Sequence, residues 1–201
     1  MDKSDRVCFV PKGEINLIRK NAKRLLIGLV AIILLIIVGI CINKLMIKAL
    51  YKKEYSEYVT KYAQEYEVDE NLIYALIKAE SNFEVDAVSN KDAQGLMQLM
   101  YSTAEDVAKK IGLELTENNI LEPDININIG TKYISTLLDK YGCVEVALAA
   151  YNAGSGNVDK WIANGTIKAD GSDIENIPYK ETNNYVRKIL RDYKIYQELY
   201  N

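Results

Sequence analysis

Histidine is absent from this chain of 201 residues, and no other feature of the sequence restricts its chemistry more. The absence removes Ser–His and Cys–His nucleophilic catalysis, the HExxH metalloprotease arrangement and most zinc sites together. An acid–base catalyst here has to be a carboxylate, Lys, Tyr or Cys. Cysteine is nearly as scarce: Cys8, Cys41 and Cys143 stand far apart and form no CxxC pair, which excludes a disulfide framework. Cys143 reads as a small core residue. Prolines number 3, and no Pro-, Gly- or Ser-rich linker divides the chain. A basic excess is missing as well: 25 basic and 28 acidic side chains leave a net charge of −3. Nucleic acid therefore finds no electrostatic footprint and is not expected as a partner.

What the sequence does contain begins with an apolar run. Leu25 to Ile42 carries no charge and no strongly polar side chain. Its eighteen residues, as a helix, reach roughly 27 Å, close to the hydrocarbon thickness of a bilayer. A buried core helix is the first alternative, but the run is uninterrupted. A cleaved signal peptide is the second, but the run is long for one and no A-x-A-like site follows. Cys41 raises a lipoprotein reading, yet Ile40 stands where a small residue would be required. The sequence therefore predicts a single transmembrane helix over 25–42. Lys3, Arg6, Lys12, Arg19, Lys20, Lys23 and Arg24 precede it, against Lys44, Lys48, Lys52 and Lys53 after it. That bias places segment 1–24 in the cytoplasm and the larger part outside the cell membrane.

Beyond the run the patterns are helical. Tyr51, Tyr55, Tyr58, Tyr62 and Tyr66 recur at helical spacing, so a helical connector is expected over 43–61, continuing to Tyr66. Such a stripe is more often a packing seam than a ligand platform, and Tyr51 and Tyr55 also suit a membrane interface. Leu72, Ile73, Leu76 and Ile77 predict a helix over 71–80. Ser102 to Glu105 fits a capping box opening a helix that Gly112 closes. Pro123 suits the first turn of a helix through Leu138, although Ile125, Ile127 and Ile129 alternate as a strand would. Val146–Tyr151 and a segment after Pro178, through Tyr185, Ile189 and Tyr193, complete an all-α reading.

Glu80 stands out within this pattern. It is four residues after Leu76 and three after Ile77, on the apolar stripe of its own helix. Desolvation and the negative helix end both disfavour its anion and raise its pKa, as a carboxyl that donates a proton near neutrality requires. The competing reading is a helix-end Glu that swings into solvent or pairs with a Lys.

Three further motifs follow in order: Gly95-Leu-Met-Gln-Leu-Met100, Ala150-Tyr-Asn-Ala-Gly154, and Glu181-Thr-Asn-Asn-Tyr185-Val. With the Glu80-Ser81 helix end, the Asn128-Ile-Gly130 stretch before Tyr133, and Ile177-Pro178, they resemble the soluble lytic murein transglycosylases, lysozyme-like enzymes acting on bacterial cell walls. The resemblance spans about Tyr62 to Tyr196. It departs at Tyr101, where the family commonly has proline, and at Asp92-Ala93, where it commonly has Gly-Ala.

The resemblance implies a lysozyme-like helical domain over 62–201 that cleaves the β-1,4 bond between N-acetylmuramic acid and N-acetylglucosamine. It implies a 1,6-anhydromuramyl product and no metal or cofactor. By position, Glu80 matches the catalytic acid, and Ser81, its usual neighbour, counts with the substrate-binding residues. Gln98 and Met100 match sugar-holding residues of the groove, and Tyr151 and Asn152 the pair near the scissile bond. Glu181 and Tyr185 match residues that close the site and steady the acid. Peptidoglycan strands are the expected partner, with the membrane. Two other readings stay open. A lysozyme-type hydrolase would need a second carboxylate, for which Glu84, Asp86 and Glu181 are candidates. An inactive glycan-binding envelope component would need no acid at all.

Overall fold

A computed structural model of the protein describes residues 12–200; Lys3, Arg6 and Cys8 lie outside the described residues. These contain eight α-helices and one 3₁₀ turn, Ile174–Asn176. The helices are α1 (Lys12–Leu50), α2 (Ser56–Glu65), α3 (Glu70–Glu80), α4 (Tyr101–Ile111), α5 (Pro123–Tyr141), α6 (Val144–Ala153), α7 (Ser155–Ala163) and α8 (Lys180–Tyr200). No strand occurs among the described residues, only isolated bridges from Gln94 to Val88 and to Leu99. The all-α expectation holds.

The chain divides into two compact units, one ending at Leu50 and the other starting at Tyr51. In the first, α1 runs unbroken through the apolar segment and on to Leu50. The stretch Arg19–Leu50 is long and apolar enough to cross a membrane. Its large apolar side chains are exposed from Leu25 to Ile42, so it is not a core helix of this protein.

The second unit opens with a correction. The tyrosine periodicity predicts one helix from Asn43 to Tyr66, but the helical pattern breaks at Tyr51–Tyr55, where Tyr55 takes a φ of 57°. The reason is tertiary. Tyr200 donates to the Tyr51 carbonyl (2.7 Å), Tyr196 donates to the Lys52 carbonyl (2.9 Å), and the Tyr51 hydroxyl donates to Asp192 (2.9 Å). This segment is strapped onto α8. The tyrosines themselves form a packing seam: Tyr62 is buried, and Tyr51, Tyr55, Tyr58 and Tyr66 pack against the core.

α3 is buried from Asn71 through Ile77, capped at its start by Asp69, which accepts from the Asn71 N–H. It packs chiefly on α8, with Tyr74 stacked on Tyr196 at 5.6 Å. α5 packs against α2, α4 and α6, which explains its misleading pattern. A helix covered on several sides buries polar and apolar residues alike, here Asn126 through Thr131, so its isoleucines need not follow a single stripe.

Two expectations about turns are refined. Ser102 is not the cap of α4, which begins one residue earlier with Met100 as its unassisted N-cap; Gly112 does close it, at φ 69°. Glu105 instead pairs with Lys109 one turn on, at 3.2 Å. Tyr101 is the first residue of α4, a position that tolerates proline because its N–H has no helical partner. Asp92 has a φ of 60°, in the left-handed region that glycine enters freely and Asp more readily than most residues. Both departures therefore fall at positions whose backbone in this chain suits the residue the family commonly has. α7 and the 3₁₀ turn are not among the helices expected from the sequence, although Val158 and Trp161 of α7 are spaced as one buried helix face.

The polar residues of α5 hold the Gly95–Met100 segment. Asn126 is fully buried. Its Oδ1 accepts from the Met97 N–H (2.8 Å), and its Nδ2 donates to the carbonyls of Gln94 (3.1 Å) and Ile120 (2.9 Å). Gly95, at φ 77°, leaves room for the Asn126 amide, and a Cβ on Gly130 would collide with the Met97 sulfur. This is the physical reason that an Asn- and Gly-bearing helix accompanies a Gly-Leu-Met-Gln turn.

Candidate active site

The site forms where α3 ends. Glu80 is its last helical residue, and the chain then turns through two consecutive left-handed residues, Asn82 (φ 51°) and Phe83 (φ 70°). Ser81 makes that turn possible. Its hydroxyl donates toward the Leu96 carbonyl (2.9 Å), with the Ile77 carbonyl at 3.2 Å, and accepts from the Phe83 N–H (3.1 Å). Ser81 was matched to substrate binding, but it does not line the cleft. Its polar capacity is consumed inside the protein, where it ties the end of α3 to the segment bearing Gln98.

Glu80 sits at the base of a cleft of about 580 Å³. Gln98, Met100, Tyr151, Asn152 and Glu181 line the same cleft, so folding brings together six of the eight matched residues from four parts of the chain. Tyr185 stands behind them and donates its hydroxyl to Glu80 Oε1 at 2.5 Å. Lys188, one turn farther along α8, donates to the Ala79 carbonyl at 3.0 Å.

Burial pushes the Glu80 pKa up from 4.5 to about 7, against the Tyr185 hydrogen bond and the Lys188 charge, which both hold it down. Desolvation thus wins over two groups that favour the anion. Tyr185 and Tyr151 are themselves pushed far up by burial, with the Glu80 charge adding to the effect. Both phenols stay protonated and act as donors, Tyr151 to the Met97 carbonyl at 2.8 Å. Tyr151 also packs on Tyr133, ring centres 5.1 Å apart.

The remaining matched residues have distinct surroundings. Gln98 takes a φ of 46° and donates its amide to the carbonyls of Ala87 (3.0 Å) and Gly95 (2.9 Å). Asn152 is exposed, and its Oδ1 accepts from the buried Thr182 hydroxyl at 2.7 Å. Glu181 does not touch Glu80; it lies 3.9 Å from Lys91, with both side chains largely exposed. Of the other carboxylates weighed, Glu84 and Asp86 are exposed and outside the cleft lining.

Ser89, Asn90, Lys91 and Tyr179 complete the cleft without having been singled out. Polar residues on an exposed loop carry no periodic mark; of the remaining lining residues, Ala153 and Thr182 lie inside the Ala150–Gly154 and Glu181–Tyr185 motifs. Among the described residues, no group of three or more acidic or Cys side chains is placed to hold a metal ion. The arrangement offers one protonated carboxyl, a hydroxyl donor behind it, and amide and apolar surface in front.

Comparison with known proteins identifies the family and the fold. Residues 57–174 match the Transglycosylase SLT domain family. The soluble lytic murein transglycosylase of Salmonella typhimurium is 34% identical over 140 residues, covering 68% of this chain and 22% of that protein. The membrane-bound lytic murein transglycosylase C of Sodalis glossinidius is 37% identical over 116 residues, covering 52% of this chain and 32% of that protein. The solved 70 kDa soluble lytic transglycosylase of Escherichia coli superposes with a TM-score of 0.70 at 29% identity, covering 76% of this chain and 25% of that one. This chain therefore spans less than a third of each of these three proteins.

A raised carboxyl pKa leaves a trace in stability. Between pH 4.5 and about 7 the folded state binds more protons at Glu80 than the unfolded state, so this group costs stability as pH rises. Glu80→Gln removes that cost. The melting midpoint of the variant, followed by near-ultraviolet circular dichroism, should gain on wild type across that window and then level off. A difference that moves the other way would mean that Glu80 is stabilised as an anion.

Proposed function

The chain belongs to the Transglycosylase SLT domain family, and on that premise we propose that its domain after Leu50 is a peptidoglycan lytic transglycosylase. The observation that carries this reading is Glu80: a single carboxyl, raised to about 7, at the base of a cleft built by the family's motifs. The named relatives act as support for the substrate class, murein, since two of them are murein transglycosylases.

The proposed reaction uses Glu80 twice. Protonated Glu80 donates to the oxygen linking N-acetylmuramic acid to N-acetylglucosamine, and the bond from that oxygen to C1 breaks. The muramyl N-acetyl group supports the positive charge developing at C1, and Asn152, with its Oδ1 held by Thr182, orients it. Ionised Glu80 then takes the proton of the same sugar's C6 hydroxyl, whose oxygen closes on C1. Glu80 returns to its protonated form, and the product carries a 1,6-anhydro ring without consuming water. Tyr185, bonded to Glu80, steadies the carboxyl in both states and favours its ionised form as it forms.

Ordinary glycosidases place two carboxyl groups about the scissile bond. Glu181 lines the cleft and is the residue that favours a hydrolytic alternative. Its exposure and its pairing with Lys91 give it no fixed place beside Glu80, which weighs against that role.

We further propose that Leu25–Ile42 anchors the enzyme in the cell membrane, with segment 1–24 in the cytoplasm and the catalytic domain outside. The exposed apolar surface of α1 and the basic residues before Leu25 support this topology. Protease added to intact, wall-stripped cells should remove the domain and leave a membrane-retained fragment; a fully protected domain would reverse the orientation.

Product chemistry tests the reaction. Digestion in ¹⁸O-labelled water should yield anhydromuramyl ends, lighter by one water than reducing ends and free of label. Glu80→Gln should be folded and inactive, since general acid catalysis alone contributes ~10²–10⁴-fold. Labelled reducing ends would assign the enzyme as a hydrolase and direct attention to Glu181.

A further inference from the structure

The helix end that carries Glu80 is short of a donor. In a continuing helix the Ala79 carbonyl would accept from the Phe83 N–H. Here Phe83 is in the left-handed region, at φ 70°, and its N–H goes to the Ser81 hydroxyl at 3.1 Å. The neighbouring carbonyls keep backbone partners: Ser81 donates to Ile77 and Asn82 to Lys78. The Ala79 carbonyl is met instead from another element, by Lys188 Nζ at 3.0 Å.

Lys188 lies three residues after Tyr185, so both side chains leave the same face of α8. One grips the Glu80 carboxyl and the other grips the backbone immediately before it. A cation at a helix C-terminus also opposes the partial negative charge collected there. That charge would otherwise add to desolvation in disfavouring the Glu80 anion.

We propose that Lys188 is a positioning residue of the active site, fixing the last turn of α3 so that Glu80 meets Tyr185, and shielding the carboxyl from the negative helix end. This deepens the catalytic reading of Glu80 and rests on it. The role suits a carboxyl that must release a proton in one half of a reaction and remain stable as an anion until the other half. Without Lys188 the acid would still be protonated at the start but would form its anion less readily.

The titratable and charged groups around Glu80 are few. α8 contributes Tyr185 and Lys188, α6 contributes Tyr151, and α5 contributes Tyr133 through its contact with Tyr151. The three tyrosines carry no charge in the working range because burial raises their pKa values. Lys91 and Glu181 line the same cleft but pair with each other in solvent, so Lys188 is the formal charge acting on Glu80, and the effect of removing it has a definite sign.

The test is a titration of the full-length chain in detergent micelles, with ¹³C-labelled glutamate carboxyls and Glu80 assigned by its loss in Glu80→Gln. Lys188 is exposed, so its variants should fold. Lys188→Met should raise the Glu80 pKa by about half a unit, the size expected for one charge at a helix end. The alkaline limb of activity should move up by the same amount, with kcat reduced and KM unchanged. Lys188→Arg should titrate as wild type. A Lys188→Met protein whose Glu80 titrates as wild type overturns the proposal, whatever its rate. The titration needs no substrate, so it can fail or succeed independently of the reaction assigned to the enzyme.

Discussion

The hydrogen bond from Tyr185 to Glu80 joins two helices that meet across more than a hundred residues of sequence. Its consequences organise the site. A carboxyl at the end of α3 cannot be both buried and ionised without help, and α8 supplies the help from one face. Burial raises its proton affinity, while the Tyr185 hydroxyl and the Lys188 charge limit the rise. The result is an acid that holds its proton near neutrality and can still give it up. The histidine-free composition is consistent with that economy: the proposed chemistry uses one tuned carboxyl and no imidazole.

The rest of the domain keeps this contact in register. Three clamps from separate elements converge on Leu96–Met97 and its neighbours: the Ser81 hydroxyl on the Leu96 carbonyl, the Asn126 amide on the Met97 N–H, and the Tyr151 hydroxyl on the Met97 carbonyl. They come from the end of α3, from α5 and from α6, so the wall carrying Gln98 and Met100 is fixed relative to Glu80. Small shifts in any of these helices would move that wall relative to Glu80. The buried isoleucines of α5 and the close approach at Gly130 resist such shifts because interiors pack at near-crystalline density.

Much of this was legible in the sequence because local rules and chemistry agreed. The apolar stripe of α3 located Glu80 on a buried face, and the ordered motifs around Gln98, Asn152 and Tyr185 lie on one cleft. What stayed hidden was set by tertiary contact. The break at Tyr51–Tyr55 depends on hydroxyls from Tyr196 and Tyr200, which no window of local sequence contains. Ser81 shares its motif with Glu80, yet its hydrogen bonds are internal to the turn. Lys188 looks like one exposed lysine among many until its partner on α3 is seen, and Lys91 on the loop facing Glu181 is equally unmarked.

The central claim is that one desolvated carboxyl, Glu80, starts the reaction in its protonated form. The pH dependence of kcat/KM for cleavage of peptidoglycan strands by the full-length enzyme tests it most directly. The account predicts an alkaline limb whose apparent pKa lies near the value of about 7 assigned to Glu80, because ionised enzyme has no proton to donate. A rate that stays level well into the alkaline range would contradict it and require a different acid.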